Sequence, residues 1–413
     1  MISIRKTICF FSAAVFMLGS PALIQAANNS TVHSAQWLMT GGARSAETQD
    51  ADTPMLNPAG SALMEEGIHL NLSVAKVNDD TSYTNQDTGT KNLRQTDSWL
   101  YPLIALTYKK DDWAGFFTIN IPGTSGGGKF DSRGHGMFDY TAGLFGGTAV
   151  NRSYEYFGAL VAMTVGGSMK ISDSISLAYG LRQLTSVSEA KARADIVDSN
   201  DNTIYTLVID QKRNGKGIGH VIGMNIKLDK GLNIGLHYES EVAIKNKVEK
   251  GPTDTVPSVV NGAEEDDALA AKFEAGLSME MSKKMELAAD FSYFFKNGIK
   301  ERPEIDSSKY QNGMGLSCAL LYELSEVLEL AGSIRATSGG IPDEVRYFSF
   351  MNDRTNYKFL GFGGTYKLKP DMKVIVSYGK YFWDAGATPN DSIGHYKVQQ
   401  DTTMMGFGFE MKI

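Results

Sequence analysis

From Ile68 to Ile413 the chain reads as fourteen short stretches in which apolar and polar residues alternate, joined in turn by tight turns and by longer polar connections. In the first stretch Ile68, Leu70, Leu72 and Val74 share one face, and His69, Asn71, Ser73 and Ala75 the other. A period of two is that of a β-strand, whose successive side chains point to opposite faces. Trp113, Gly115, Phe117, Ile119 and Ile121 repeat the pattern, as do Ile234, Leu236 and Tyr238 against Gly235, His237 and Glu239. Short turns are predicted at 109–112, 172–173, 228–231, 282–284, 324–326 and 368–371. Longer connections are predicted at 78–99, 122–156, 194–215, 246–267, 298–309, 339–355 and 384–401. Six short and seven long connections require fourteen strands. An even strand number with short turns on one side and long loops on the other is the arrangement of single-chain bacterial outer-membrane barrels. The predicted fold is therefore all-β, a 14-stranded antiparallel transmembrane β-barrel. A soluble sandwich would need no such alternation of connection lengths.

The remaining pattern agrees. Rings recur near strand ends, at Trp99, Tyr101, Tyr108, Trp113, Tyr293, Tyr381, Phe382 and Trp383, as in the aromatic belts of membrane proteins. In the last stretch Met405, Phe407, Phe409, Met411 and Ile413 alternate with small or polar residues up to the carboxyl end. Ile413 stands where such barrels usually finish on an aromatic residue. No segment after the first thirty or so residues has the roughly twenty-residue apolar length of a membrane helix.

At the amino end, Arg5 and Lys6 precede an apolar run from Ile8 to Leu18, then Gly19, Ser20, Pro21 and a cleavage site predicted after Ala26. This is the form of a secretory signal peptide, too short in its apolar part to anchor in a bilayer. Cys9 leaves with it, and Cys318 remains as a single cysteine, so no internal disulfide is expected. Loss of Arg5 and Lys6 makes the formal charge of -7 two units more negative, which argues against a nucleic-acid partner.

Residues 27–67 contain no good strand. They include a Gly- and Ala-rich run, Gly41-Gly42-Ala43-Arg44-Ser45-Ala46, that leads to Asn57-Pro58-Ala59-Gly60 directly before the first strand. Asn-Pro-Ala is by itself a turn-like tripeptide, and an Asx-type turn before a strand accounts for it. Its context goes further. The run resembles the amino-terminal hatch of the FadL/TodX family of outer-membrane hydrocarbon transporters. Pro102 to Tyr108, Ile119-Asn120-Ile121-Pro122-Gly123, Leu232 to Ser240 and Gly340-Ile341-Pro342-Asp343 resemble landmarks of that family in the same order. The resemblance covers nearly the whole mature chain.

It implies a signal peptide (1–26), a hatch or plug inside the barrel (27–67) and the barrel (68–413). It further implies passive transport of long-chain fatty acids, aromatic hydrocarbons or other hydrophobic compounds, without a cofactor and as a monomer in the bacterial outer membrane. In the family the ligand leaves sideways into membrane lipid through a gap made by an inward kink of the third strand, with the hatch motif against that gap. Carried over, the hatch contacts fall on Asn57, Pro58 and Ala59. The kink falls at the end of the third strand, near Asn120, Pro122 and Gly123. Proline lacks the N–H a ladder needs and glycine permits unusual torsions, so Pro122-Gly123 suits a kink, and equally a strand end. The chain departs from the family in having no aromatic residue between Pro122 and Gly123.

The connection predicted at 122–156 carries Phe130, Met137, Phe138, Tyr140, Leu144 and Phe145, which form either an outer apolar groove for ligand or a satellite core within the loop. A carboxylate ligand would call for a cation, and Arg133, Arg152, Lys170 and Arg182 are candidates that spacing does not separate. His69, His135, His220, His237 and His395 are scattered, with no metal spacing and no partner for a catalytic triad, so no enzyme activity and no metal are expected. The glycines 126–128 lack a following Lys-Ser or Lys-Thr and do not form a phosphate loop. The acidic run Glu264-Glu265-Asp266-Asp267 is expected in an external loop, where it is solvated. The alternative function is a surface receptor or adhesin, for which the hatch segment has no use.

Overall fold

The computed structural model describes residues 34–413 except 87–88, 90, 96–98, 131–137, 139–141, 144, 229–230, 251–260, 300–306, 343–355, 385 and 388–395. The predicted signal peptide lies outside the described residues.

Fourteen antiparallel strands close into a barrel. In order they run Gly67–Asn85; Lys91–Gln95 continued by Trp99–Lys110; Trp113–Phe130; Thr148–Ser172; Ile175–Val197; Thr203–Leu228; and Leu232–Glu239 continued by Val242–Lys250. The eighth is Glu264–Leu269 continued by Ala271–Ser282, followed by Met285–Phe295, Gly313–Ser325, Leu328–Ser338, Tyr357–Lys369, Met372–Trp383 and Tyr396–Lys412. The first strand pairs with the last from His69↔Lys412 to Asn85↔Tyr396, and Ile413 and Ile68 exchange backbone hydrogen bonds of 2.8 and 3.0 Å below them. No sheet edge is left open there, which is what lets strands cross a bilayer.

The alternation sorts as the sequence predicts. Leu72, Leu181, Leu316, Phe362 and Phe407 are exposed on the outside, where they face lipid, while Asn71, Arg182, Ser317, Thr365 and Thr402 are buried inside. A surface that exposes large apolar side chains all the way round is the lipid face of a membrane barrel.

Five of the seven long connections are shorter than predicted, whereas those predicted at 298–309 and 339–355 run from 296 to 312 and from 339 to 356. The fifth and sixth strands continue to Val197 and resume at Thr203, and Asp198 closes the five-residue turn by accepting from the N–H groups of Asn200 (2.8 Å) and Asn202 (2.9 Å). Here the strands rise beyond the apolar band, so their outer faces become polar while Ser186, Ser188, Ala190, Ala192 and Ala194 stay buried inside. Polarity there marks water outside the wall, not the end of a strand. Likewise the third strand runs on to Phe130 and the fourth begins at Thr148. The acidic run is corrected in the same way. Residues 264–267 are not an external loop but open the eighth strand, where Glu264, Glu265 and Asp266 pair with Lys247, Asn246 and Lys245. Arg213 meets Glu265 at 3.0 Å. Basic neighbours make the acidic strand tolerable.

Residues 34–66 fill the lumen. Ser34 caps the helix Ala35–Thr40 by accepting from the Trp37 N–H at 2.9 Å, and Gly41, at a φ of 60°, ends it. The helix Thr53–Leu56 and the 3₁₀ turn Pro58–Leu63 follow, with a proline in the first turn of each.

Candidate functional site

The wall seats this plug by omitting side chains. Lumen-facing Gly361, Gly363, Gly406 and Gly408 lie so close to Ala35, Leu38 and Met39 that a Cβ on any of them would meet the helix, and Gly235 and Gly223 lie under Ser45 and Asn57 in the same way. Polar contacts fix the rest. Gln36, Ala51 and Asn71 all donate to the Glu410 carboxylate, the last two at 3.1 and 2.9 Å. Lys373 reaches Asp50 at 2.8 Å, and Ser45 donates to Asp290 through its N–H (2.9 Å) and its hydroxyl. Within the plug, buried Arg44 lies 2.6 Å from Asp50 and 3.3 Å from Asp52. Burial opposes its charge, but Asp52, Asp50 and Glu47 more than compensate and keep it protonated. Burial also pushes the Asp50 carboxyl up, yet Lys373 and Arg44 outweigh it and hold Asp50 well below the ordinary carboxylate range. Asp52 is pushed above its ordinary value by burial, against the pull of Arg44.

Asn57 is fully buried. Its Oδ1 accepts from the Ala59 N–H at 3.2 Å, the Asx turn, while its Nδ2 donates to the carbonyls of Ser45 (2.8 Å) and Met224 (3.0 Å), the latter on the sixth strand. Pro58 begins the 3₁₀ turn, and the Ala59 carbonyl accepts from Ser176 of the fifth strand at 2.7 Å. The motif thus bonds to the fifth and sixth strands. The turn just before it, Thr53–Leu56, packs on the second and third.

Those two strands part company. They pair from Lys110↔Trp113 up to Ile104↔Ile119 and again at Gln95↔Lys129 and Arg94↔Phe130, and none of the described residues between these points pairs across. On one side Trp99–Leu103 stay paired to the first strand. On the other, the third strand stays paired to the fourth but slips register between Asn120 and Gly123 and again between Thr124 and Gly126. Each slip is a one-residue bulge, which bends a strand. Asn120, Pro122 and Gly123 therefore sit together at an interruption of the wall, in the interior of the third strand and not at its end. Pro102 and Pro122 both lie in the stretch where these two strands are apart, and proline is best tolerated at such an edge or bulge.

Inside, an apolar cluster leads from the plug to this interruption. Trp37, Met55 and Leu56 of the plug pack with Tyr357, Phe359, Tyr381, Met404, Val77 and Leu103, with Tyr101 and Trp383 alongside. Tyr381 stacks on Trp383 at 5.3 Å, and Phe359 lies 4.8 Å from Tyr381 and 5.5 Å from Trp37. Tyr101 and Leu103 belong to the stretch of the second strand that has no partner in the third. On the opposite wall the lumen is charged: Arg182 pairs with Glu239, and Lys272 lies 3.4 Å from Glu239 and 3.0 Å from Glu274, which His237 approaches at 3.3 Å.

The other sequence candidates disperse. Phe130 ends the third strand; Met137, Tyr140 and Leu144 lie outside the described residues; Phe138 is buried, and exposed Phe145 stacks on Tyr205 at 4.4 Å. Among the cations, Arg182 is committed to Glu239, Lys170 pairs with Asp173 at a short turn, Arg152 bonds to the Ala149 carbonyl at 2.8 Å, and Arg133 lies outside the described residues. His69 meets the Glu65 carbonyl at 2.8 Å and His220 the Tyr179 hydroxyl at 2.7 Å, while His135 and His395 lie outside the described residues. Among the described residues no three His, Cys, Asp or Glu side chains gather to hold a metal. Tyr101, Tyr381 and Trp383, which the sequence pattern assigns to the aromatic belts, turn into the lumen and join the aromatic lumen cluster instead. Its signal was present as glycines at alternate inward positions, Gly361, Gly363, Gly406 and Gly408, which mark where the plug helix lies.

No family model matches the sequence, and no curated protein does. The fold, by contrast, has known counterparts. A Pseudomonas aeruginosa FadL homologue superposes with a TM-score of 0.71 at 12% identity, over 93% of this chain and 99% of that one. The toluene transporters TodX of P. putida (TM-score 0.64, 12% identity) and TbuX of Ralstonia pickettii (0.65, 11%) each match over 93% of this chain and 99% of their own.

Proposed function

We propose, from the FadL/TodX barrel fold that this chain shares, that it is a passive outer-membrane channel for hydrophobic compounds, which it releases sideways between its second and third strands. The observation that carries this reading is the meeting of the apolar lumen cluster with the unpaired stretch of wall at Tyr101, Leu103, Asn120, Pro122 and Gly123. An apolar molecule gains about 0.8 kcal/mol per buried methylene, so a path along Trp37, Phe359 and Leu103 attracts it where a water-filled pore would not. The plug below and the charged wall at Arg182, Glu239, Lys272 and Glu274 offer it no comparable route downward, and membrane lipid is the apolar phase next to the gap. Asn57, Pro58 and Ala59 hold the plug against the wall, while Met55 and Leu56 line its side of the path. Phe138 and Phe145 belong to the outer mouth. The ring-lined path suits aromatic hydrocarbons; long-chain fatty acids are the other substrate class of this reading. The channel works as a monomer.

The test is uptake of labelled toluene and of a labelled long-chain fatty acid by cells that lack their own transporter and express this chain, with barrel insertion checked by heat-modifiable migration. Uptake of either supports the reading. An inserted barrel that moves neither overturns it in favour of a surface receptor.

A further inference from the structure

The wall is interrupted at a second place, between the sixth and seventh strands. They pair from Leu228↔Leu232 to Val221↔Glu239 and again from Lys216↔Lys245 upward. Between these points Ser240 donates its N–H to the His220 carbonyl and accepts from the His220 N–H, each at 2.9 Å, and Gly217, Ile218 and Gly219 pair with nothing on the seventh strand. On either side of Ser240 and Glu241 the seventh strand is paired to the eighth, Glu239 opposite Lys272, Val242 opposite Leu269 and Ile244 opposite Asp267. The upper parts of the two strands therefore lean inward as one hairpin.

The sixth strand gives them room. Gly215, Gly217 and Gly219 face the lumen, and a Cβ on any of them would collide with Asn246, Ala243 or Val242. Over this bare strip the seventh strand reaches the fifth directly. Val242, Ile244 and Leu269 pack with Leu184, Leu160 and Ala162 into a cluster of which every member is 0–1% exposed. At this level the lumen on that side is shut.

Register places the cluster beside the lateral gap. One row across the wall runs Asn120↔Ala162, Ala162↔Leu184, Leu184↔Gly217, and Leu160 is the partner of Gly123. The residues that receive the inward hairpin are thus the cross-strand neighbours of the bulged third strand. Val242 and Ile244 are β-branched and stiff at χ1, so the spacing they set between hairpin and wall is fixed, unlike one built of methionine.

Building on the transport reading above, we propose that the inward hairpin of the seventh and eighth strands is a size-selecting constriction, with Val242 and Ile244, wedged between it and the wall, setting how far it intrudes and so the cross-section of molecules that reach the gap between the second and third strands. A single methylene in a rigid apolar site discriminates by about tenfold or more, so truncating two branched side chains is enough to change which molecules pass.

The experiment measures initial uptake of toluene and of anthracene by cells expressing the full chain, as a ratio within each variant. Val242→Ala with Ile244→Ala should raise the anthracene-to-toluene ratio by about tenfold and leave toluene uptake near wild type. Gly217→Val, which pushes the hairpin off its seat and further into the lumen, should lower the same ratio, and it keeps the test open if the double variant fails to insert. An unchanged ratio in inserted variants overturns the constriction alone, provided wild type carries toluene. A wild-type barrel that carries neither probe overturns this inference, and one that carries no long-chain fatty acid either overturns the transport reading as well.

Discussion

Asn57 of the plug donates its Nδ2 to the Met224 carbonyl of the sixth strand at 3.0 Å, and the neighbouring Gly223 has no Cβ to prevent it. The same amide group also holds the Ser45 carbonyl. Asn57→Ala leaves both buried carbonyls without this donor, at a cost of about 1–3 kcal/mol. The barrel ladder does not include Asn57, so assembly should be normal while hydrogen exchange over residues 34–66 rises and uptake falls. Ala59→Leu should act in the same direction, because Ala59 has no free space around it. Normal exchange and uptake in both would reduce the motif to a turn.

The bulges of the third strand predict a deletion phenotype. Removing Pro122 and Ser125, one residue from each slip, lets the strand regain continuous register with the fourth and brings its edge to the second. About four strand hydrogen bonds at about 1 kcal/mol each would then close the gap, and uptake should drop on the order of a hundredfold or more with insertion unchanged. Undiminished uptake by an inserted deletion barrel would rule out the lateral route.

The ring path predicts a change in apparent affinity. Phe359 touches Trp37 on one side and Tyr381 on the other. Phe359→Ala removes aromatic contacts worth about 0.5–1.5 kcal/mol, so the toluene concentration giving half-maximal uptake should rise about three- to tenfold. Toluene should also shift the tryptophan emission of the wild-type protein, and the shift should be smaller in Trp37→Phe. No difference in either measurement would place the ligand elsewhere.

The latch of the plug has a defined pH response. Asp50 has its pKa depressed by Lys373 and Arg44 in excess of the effect of burial. The stabilisation it brings is therefore fully present above the ordinary carboxylate range and is lost only as pH falls through its lower folded value. Asp52, raised by burial, contributes in the opposite sense: its protonation on acidification relieves a buried charge. Plug docking, followed by protease access to residues 34–66, should therefore not weaken from neutral pH down to about pH 5. Asp50→Asn should loosen it throughout that range, by about 3–5 kcal/mol if the cost is that of breaking a buried pair. Loosening of the wild-type plug already at pH 6 would contradict this assignment.

Much of the architecture was legible because barrel strands obey a strict local rule. Lipid outside and a crowded lumen inside force alternation at Ile68 to Ala75 and again at Met405 to Ile413, and each short turn must fall where alternation stops. At 194–215 and 264–267 polarity imitates a loop, so local pattern overstates the connections there. Above the membrane a strand is polar outside and remains a strand, held by pairings such as Glu264↔Lys247 that no local window contains.

The sequence by itself determined the strand number and the sidedness of its faces, since these depend on residue period, whereas the plug segment and the Asn120–Gly123 region are legible only through the resemblance to the FadL/TodX family. Only the tertiary structure decided that Asn57 grips the sixth strand, that rings from the twelfth and thirteenth strands meet Trp37 and Leu103, and that the seventh strand leans over Gly217. Those contacts join residues up to hundreds of positions apart, and closure of the barrel is what brings them within reach.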